Sequence, residues 1–202
     1  MEYNEELDQD SPENWTTSAL KILCSKIGSG STHRGGKDSY QNHGVSLIRS
    51  LNVQDFQFLY KNLAHINKDQ SKKLDNVAVQ EKDILLNITG ASVARCAMVP
   101  TDVIPARVSQ HVAIIRLSEE VNTPYYFLNV LCSTDYKQQL LGVSQSGSTR
   151  QAITKAEIED LNVLLPPKHT RVLFDDKIRK LFEHRETVFS ENELLETMAG
   201  LI

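Results

Sequence analysis

The sequence predicts an α+β protein: a mixed α/β domain with a β-rich core and short helices, followed by a long C-terminal helix able to form a coiled coil. Three observations carry this. Short apolar runs separated by Gly, Pro, Asn or Asp recur through most of the chain, as strands joined by turns do. Two helix-start signatures, at Thr123-Pro124 and at Thr154-Lys-Ala-Glu157, interrupt them late. Beyond Pro166-Pro167 an apolar repeat with alternating spacings of four and three runs almost to the end.

Residues 1–14 hold one Leu and one Tyr among polar residues and read as a flexible acidic arm. From Trp15 the character changes. The runs 20–27, 45–50, 84–89, 93–99 and 111–117 read as strands, and 55–82 as an irregular segment with short strands or turns. Thr123 as cap and Pro124 at the first helical position open a helix whose Phe127, Leu128, Leu131, Leu140 and Leu141 face inward, with Gly142 ending it. The capping box from Thr154 to Glu157 starts a short helix through Asp160, and 162–165 form a last strand before the prolines. The long helix then spans about 170–199. Phe174, Ile178, Leu181, Arg185, Val188, Asn192 and Leu195 lie along one seam of it. Two polar interruptions, Arg185 and Asn192, are the kind that set register in a helix pair, which favours an exposed arm over a helix packed on its own domain. The expected division is therefore arm 1–14, domain 15–168 and helix 169–202.

Charge follows the same division. The 202 residues carry a net −4, yet 1–14 hold six acids and no base, 169–202 are near −2, and the body 15–168 is +4. A mildly basic body with acidic ends differs from an acidic protein, and its charge alone is too small to coat nucleic acid. Cys24, Cys96 and Cys132 are odd in number, far apart and in apolar surroundings, which suits a reducing cytoplasm better than a disulfide scaffold or a zinc site. No apolar run approaches the roughly 20 residues a bilayer span needs, so a cytoplasmic location without membrane contact is expected.

Familiar catalytic patterns fail residue by residue. In Gly28-Ser-Gly-Ser-Thr-His-Arg-Gly-Gly-Lys37 a phosphate loop would need Gly at 31 and Ser or Thr at 38, where Ser31 and Asp38 stand, and a dinucleotide fingerprint fails at His33. The six histidines are not at metal-ligand spacings, and no Gly-x-Ser-x-Gly elbow occurs. Asp135-Tyr-Lys137 and Asp175-Asp-Lys177 match the tail of a nuclease pattern but lie in helical context without a flanking strand. The chain reads as non-catalytic, with no metal of its own. What remains is a set of Ser, Thr, Asn, Gln and Arg residues with Gly between them, on loops beside apolar strands. Lys26, Arg34, Lys37 and Arg49 face one acid, Asp38; Arg95 and Arg107 face Asp102; Lys137, Arg150 and Lys155 face none. Such loops fit a DNA-reading surface, and equally ordinary solvated turns.

Several strings taken together resemble a known family. They are Ile27-Gly-Ser-Gly-Ser-Thr with Arg34-Gly-Gly-Lys37, Leu47-Ile-Arg-Ser-Leu-Asn-Val53, and Asp83-Ile-Leu-Leu-Asn-Ile-Thr-Gly-Ala-Ser-Val-Ala-Arg95. Pro105-Ala-Arg-Val-Ser-Gln-His-Val-Ala-Ile-Ile-Arg116, Gly147-Ser-Thr-Arg-Gln-Ala-Ile-Thr-Lys155 and Leu165-Pro-Pro167 follow in order. The chain is similar to a target recognition domain of the DNA specificity subunit of type I restriction-modification enzymes. Its tail, Glu191-Asn-Glu-Leu-Leu-Glu-Thr-Met-Ala199, resembles the end of that family's conserved helix.

The resemblance implies a non-catalytic subunit that reads one half-site of a bipartite target in double-stranded DNA and docks methyltransferase subunits, with restriction-translocase subunits joining for cleavage. S-adenosylmethionine, ATP and magnesium would belong to those partners. Ser31, Thr32, Arg34, Lys37 and Arg49 are then expected on one part of the DNA surface. Asn87, Thr89, Arg95, Arg107 and Gln110 are expected on a second, and Ser146, Thr149, Arg150 and Gln151 on a third; Asn87, Thr89 and Gln110 fit equally a role in satisfying buried backbone groups, and Arg107 one in holding a loop through backbone carbonyls. The family carries two such domains and two such helices, so this chain is expected to pair through its helix with a second half or a second copy; of the two, the N-terminal half of a longer protein is favoured. The alternative is a protein-interaction module whose long helix is a docking strut.

Overall fold

The computed structural model describes residues 1–4, 9–32, 36–145 and 152–200. Among them the α+β class holds, with a four-stranded antiparallel sheet at the centre. Its strands are Cys96–Met98, Ile84–Asn87, Val112–Leu117 and Cys24–Ser29, in that spatial order. Side chains alternate along a strand, and here both faces are buried. Ile84, Leu86, Ala113 and Ile115 enter one core, and Leu85, Val112 and Ile114 enter another. The first core is closed by Phe127, Leu128 and Leu131 of the helix Pro124–Cys132 and by Leu140 of the helix Thr134–Gln145. The second is closed by a three-stranded sheet in which Val45–Ile48 runs parallel to Ala106–Val108 and antiparallel to Ala64–Ile66. Asn162–Leu165 pairs with Thr16–Ala19, so the last strand of the domain lies against the first after Trp15.

Some expected elements change form. The run 20–27 splits into one helical turn, Leu20–Leu23, and the strand from Cys24, because Leu20 and Leu23 point together into the core. Only Cys96–Met98 of 93–99 is a strand; Gly90–Ser92 is a 3₁₀ turn, with Ala94 at φ +66° before the strand begins. The helix from Pro124 stops at Cys132, where extended Ser133 donates both its N–H and its hydroxyl to Val130 O, and a second helix starts at Thr134 instead of one helix running to Gly142. The polar segment 55–82 contains Gln57–Phe58, Ala64–Ile66 and Lys68–Lys72, the last capped reciprocally by Asn67 and Gln70. In the acidic arm Glu2–Asn4 pairs with Gln9–Ser11.

The long helix, Lys168–Ala199, is docked over its first half and is no free arm there. Asp175 accepts from Tyr126 N–H at 2.9 Å, and Phe182 packs edge-on against Tyr125 at 5.3 Å and near Phe56 at 6.1 Å. The Arg185 guanidinium lies 4.4 Å over the Phe182 ring and donates to Phe56 O. Another stripe of the same helix stays open: Leu181, Val188 and Leu195, seven residues apart, are 63%, 39% and 62% exposed. Phe174 is also partly exposed but touches Tyr126, and Asn192 is exposed.

Two buried polar groups fasten the frame. Asp83 is fully buried and accepts from Arg116 Nε at 2.7 Å and Nη2 at 2.8 Å, and from Gln80 N–H at 2.8 Å. Asn52, equally buried, donates to Leu59 O and accepts from Arg49 N–H, closing the hairpin region between them. Gly30 marks a tight chain crossing: a Cβ there would meet Ser109 O at 2.2 Å and Val108 O at 2.4 Å. Because the obstruction is backbone, Gly30→Ala is expected to lower stability by about 2 kcal/mol, at the middle of the overpacking range. A thermal melt unchanged from the parent protein contradicts this.

Candidate nucleic-acid interface

Strand register decides which loops meet. Val112 faces Asn87 and Ala113 faces Ser29, so the segments following Ser29 and Asn87 and preceding Val112 leave the central sheet at one end. Ser109 N–H donates to Ile48 O at 2.9 Å, which brings the end of the smaller sheet, and the segment beyond Arg49, to the same place. Ala152 bridges to Thr89, and Ile153 N–H donates to Ile88 O at 2.8 Å. Segments 30–32, 49–54, 88–95, 109–111 and the residue after 151 thus share one end of the molecule.

A cleft of about 480 Å³ opens there, lined by Ser50, Leu51, Gln54, Thr89–Ser92, Arg95 and His111. Among the described residues, none in its wall is acidic. The Arg95 guanidinium donates to Gln54 Oε1 at 2.6 Å. Thr89 Oγ1 lies 2.6 Å from His111 Nδ1, and Gln110 Nε2 lies 3.1 Å from His111 Nε2, so these three side chains form a hydrogen-bonded row. Ser31 is held by its N–H to Val108 O at 3.3 Å, and Thr32 beside it is exposed.

Other residues expected on the DNA surface serve the frame. Asn87 is fully buried, and its carboxamide donates to Ser50 O at 2.9 Å and Val53 O at 3.2 Å. It fastens one cleft wall to the central sheet from beneath. Arg107 points the other way, donating to Ser71 O, Ala106 O and Asp75. Arg49 donates to Asn62 O and lies 5.1 Å over the Tyr40 ring, outside the cleft wall. Arg34, Ser146, Thr149, Arg150 and Gln151 lie outside the described residues, as does the side chain of Lys37. Gln54, Ser92 and His111 are in the cleft although sequence does not single them out. Their signal is weak: each is one polar residue next to an apolar run, and only the fold joins 54 with 95 and 89 with 111.

Two of the residues that match a nuclease tail are engaged elsewhere. Lys137 is ion-paired with Asp55, and Asp175 caps the start of the Pro124–Cys132 helix. Burial pushes the Cys24 thiol up to about 12, and burial followed by the neighbouring Cys132 raises Cys96 well above its ordinary value, so neither is a thiolate at neutral pH. No cluster of metal-ligating side chains occurs among the described residues, and no described helix is long and apolar enough to cross a membrane.

A family profile described as "Type I restriction modification DNA specificity domain" matches residues 12–189. The chain is 25% identical over 189 residues to the type I restriction enzyme MjaIX specificity subunit of Methanocaldococcus jannaschii, covering 90% of this chain and 40% of that protein. In fold it is similar to the HsdS subunit from Thermoanaerobacter tengcongensis, with TM-score 0.55, 17% identity, and 89% and 41% of the two chains covered. It is also similar to the type I restriction-modification S subunit from M. genitalium, with TM-score 0.63, 14% identity, and 92% and 44% covered. The chain therefore spans about two fifths of the length of these relatives.

Proposed function

The chain belongs to the type I restriction modification DNA specificity domain family, and from that premise we propose that it reads one half-site of a bipartite sequence in duplex DNA. The observation that carries this reading is the acid-free cleft at one end of both sheets, with Arg95, Thr89 and Gln110 gathered around it. Major-groove edges present donors and acceptors that Arg, Gln and Thr side chains match, and the missing carboxylates spare the phosphates a repulsion. Residues 15–168 form the reading domain in this proposal and 169–202 the connecting helix.

Chemistry lies outside the chain in the same reading. Methyltransferase subunits docked on it flip and modify the target adenine, and restriction-translocase subunits join for cleavage. S-adenosylmethionine, ATP and magnesium serve those partners, in the cytoplasm. The open stripe of Leu181, Val188 and Leu195 supports pairing of the helix with a second half or a second copy. The test is methylome sequencing of cells with and without the gene. A modified two-part motif present only with the gene is the expected result. An unchanged methylome, together with intact assembly of the chain on a protein partner, replaces DNA reading by the protein-docking alternative.

A further inference from the structure

We propose that Arg95 is a guanine-reading side chain and that Gln54 is its positioning residue; this rests on the DNA-reading proposal above and specifies its ligand as a G·C pair in the major groove. The described arginines differ in what holds them. Arg107, Arg116 and Arg179 are engaged by Asp75, Asp83 and Glu183, whereas among the described residues Arg95 is held by the neutral Gln54 carboxamide. A neutral acceptor orients the guanidinium without cancelling its charge. One nitrogen, Nη1, is committed to Gln54 Oε1, while the planar fork still has donors for two parallel hydrogen bonds. Guanine N7 and O6 are the base-edge pair that such a fork matches in the major groove.

The backbone under the pair is fixed on both sides. Arg95 N–H donates to Ser92 O at 3.2 Å, and Arg95 O accepts from Asn87 N–H at 2.9 Å. Asn87 in turn holds Val53, the residue before Gln54, by its side chain. One buried carboxamide therefore sets the distance between reader and positioner. Both side chains line the cleft, beside an open wall of Ser92 and Gly90 where a base edge can approach. Gly90, at φ +77° and with no described atom beyond its chain neighbours within 4 Å of where a Cβ would stand, leaves that wall low.

The experiment selects bound sequences from a randomised duplex library, using the full chain alone and as the complex it forms in its own cells. The parent protein is expected to enrich a motif with a guanine at one fixed position. Arg95→Ala is expected to reduce preference for that guanine by about five- to 150-fold, the range for a bidentate pair, with the other positions retained. Gln54→Ala is expected to relax the same position alone, and Gln54→Glu, which keeps an acceptor oxygen, to restore the preference at lower overall affinity. Circular dichroism and denaturation midpoints identify any variant that fails to fold, and Arg95→Lys, which keeps the charge and a donor but loses the planar fork, then carries the test with a smaller loss at the same position. If the parent selects a motif that Arg95→Ala and Arg95→Lys leave intact, guanine reading is overturned while DNA reading stands. A salt dependence reduced by about one counterion with unchanged preference assigns Arg95 to phosphate and overturns it equally. If the parent selects no motif in either form, the DNA-reading proposal itself falls.

Discussion

Asp83→Ala is expected to lower the unfolding free energy by about 3–5 kcal/mol, the cost of stranding one member of a buried ion pair. Asp83 is fully buried, and its two oxygens take the two hydrogen bonds from Arg116 as well as the Gln80 N–H. Removal leaves the Arg116 guanidinium largely enclosed, with Ala78 O as its remaining described partner. The loss also loosens the 78–83 crossover where it enters the central sheet, because Asp83 and Arg116 together tie both ends of that segment. Urea denaturation measures the effect as a lower midpoint at unchanged slope. The double variant Asp83→Ala/Arg116→Ala is expected to lose much less than the two single losses added together, because the second substitution removes the stranded charge. A single-variant loss below about 1 kcal/mol refutes the assignment, since that is the range of exposed pairs.

Asn87→Ala is expected to cost about 2–3 kcal/mol, at the level of buried acceptors deprived of a donor. Ser50 O and Val53 O lose the carboxamide that now serves both, and Ser50 O keeps the Val53 N–H. The effect is not larger because Asn87 Oδ1 is itself buried without a partner among the described residues, a cost that disappears with the side chain. The expected pattern is a lower midpoint by denaturation, and weaker DNA binding that recovers when binding is measured well below the melting range. A variant of parental stability with altered base preference assigns Asn87 to the groove and removes it from the frame.

Legibility in the sequence follows how local each interaction is. The central strands are legible because both of their faces are buried, which turns 84–87 and 112–115 into nearly unbroken apolar runs. The helix starts are legible because their chemistry is local: Glu157 N–H donates to Thr154 Oγ1, and Thr154 N–H donates to the Glu157 carboxylate. Asn87 and Arg107 read as groove or frame residues alike, because a polar side chain at a strand end has the same sequence signature whether it meets solvent or a buried carbonyl. Only the register of distant segments separates the two cases. The same holds for Gln54, 41 residues from Arg95, whose role has no local trace.

In the long helix two stripes interleave. The expected seam joins Phe174, Leu181, Val188 and Leu195 to Ile178, Arg185 and Asn192, yet Arg185 belongs to the docked face together with Asp175 and Phe182. A heptad pattern read from one dimension cannot separate an inward stripe from an outward one when both are apolar in part.

The support beneath the cleft has an evolutionary corollary. Its walls are fastened by buried carboxamides that hydrogen-bond main-chain carbonyls, Asn87 to Ser50 and Val53, and Asn52 to Leu59. Main-chain carbonyls persist whatever side chain a residue carries. Gln54, Ser92 and Gln110 are therefore free to drift without opening a void in either core, since none of them belongs to one. In the DNA-reading proposal, preference for one word of DNA is exchanged for another by point substitutions at the rim, with folding stability left almost untouched.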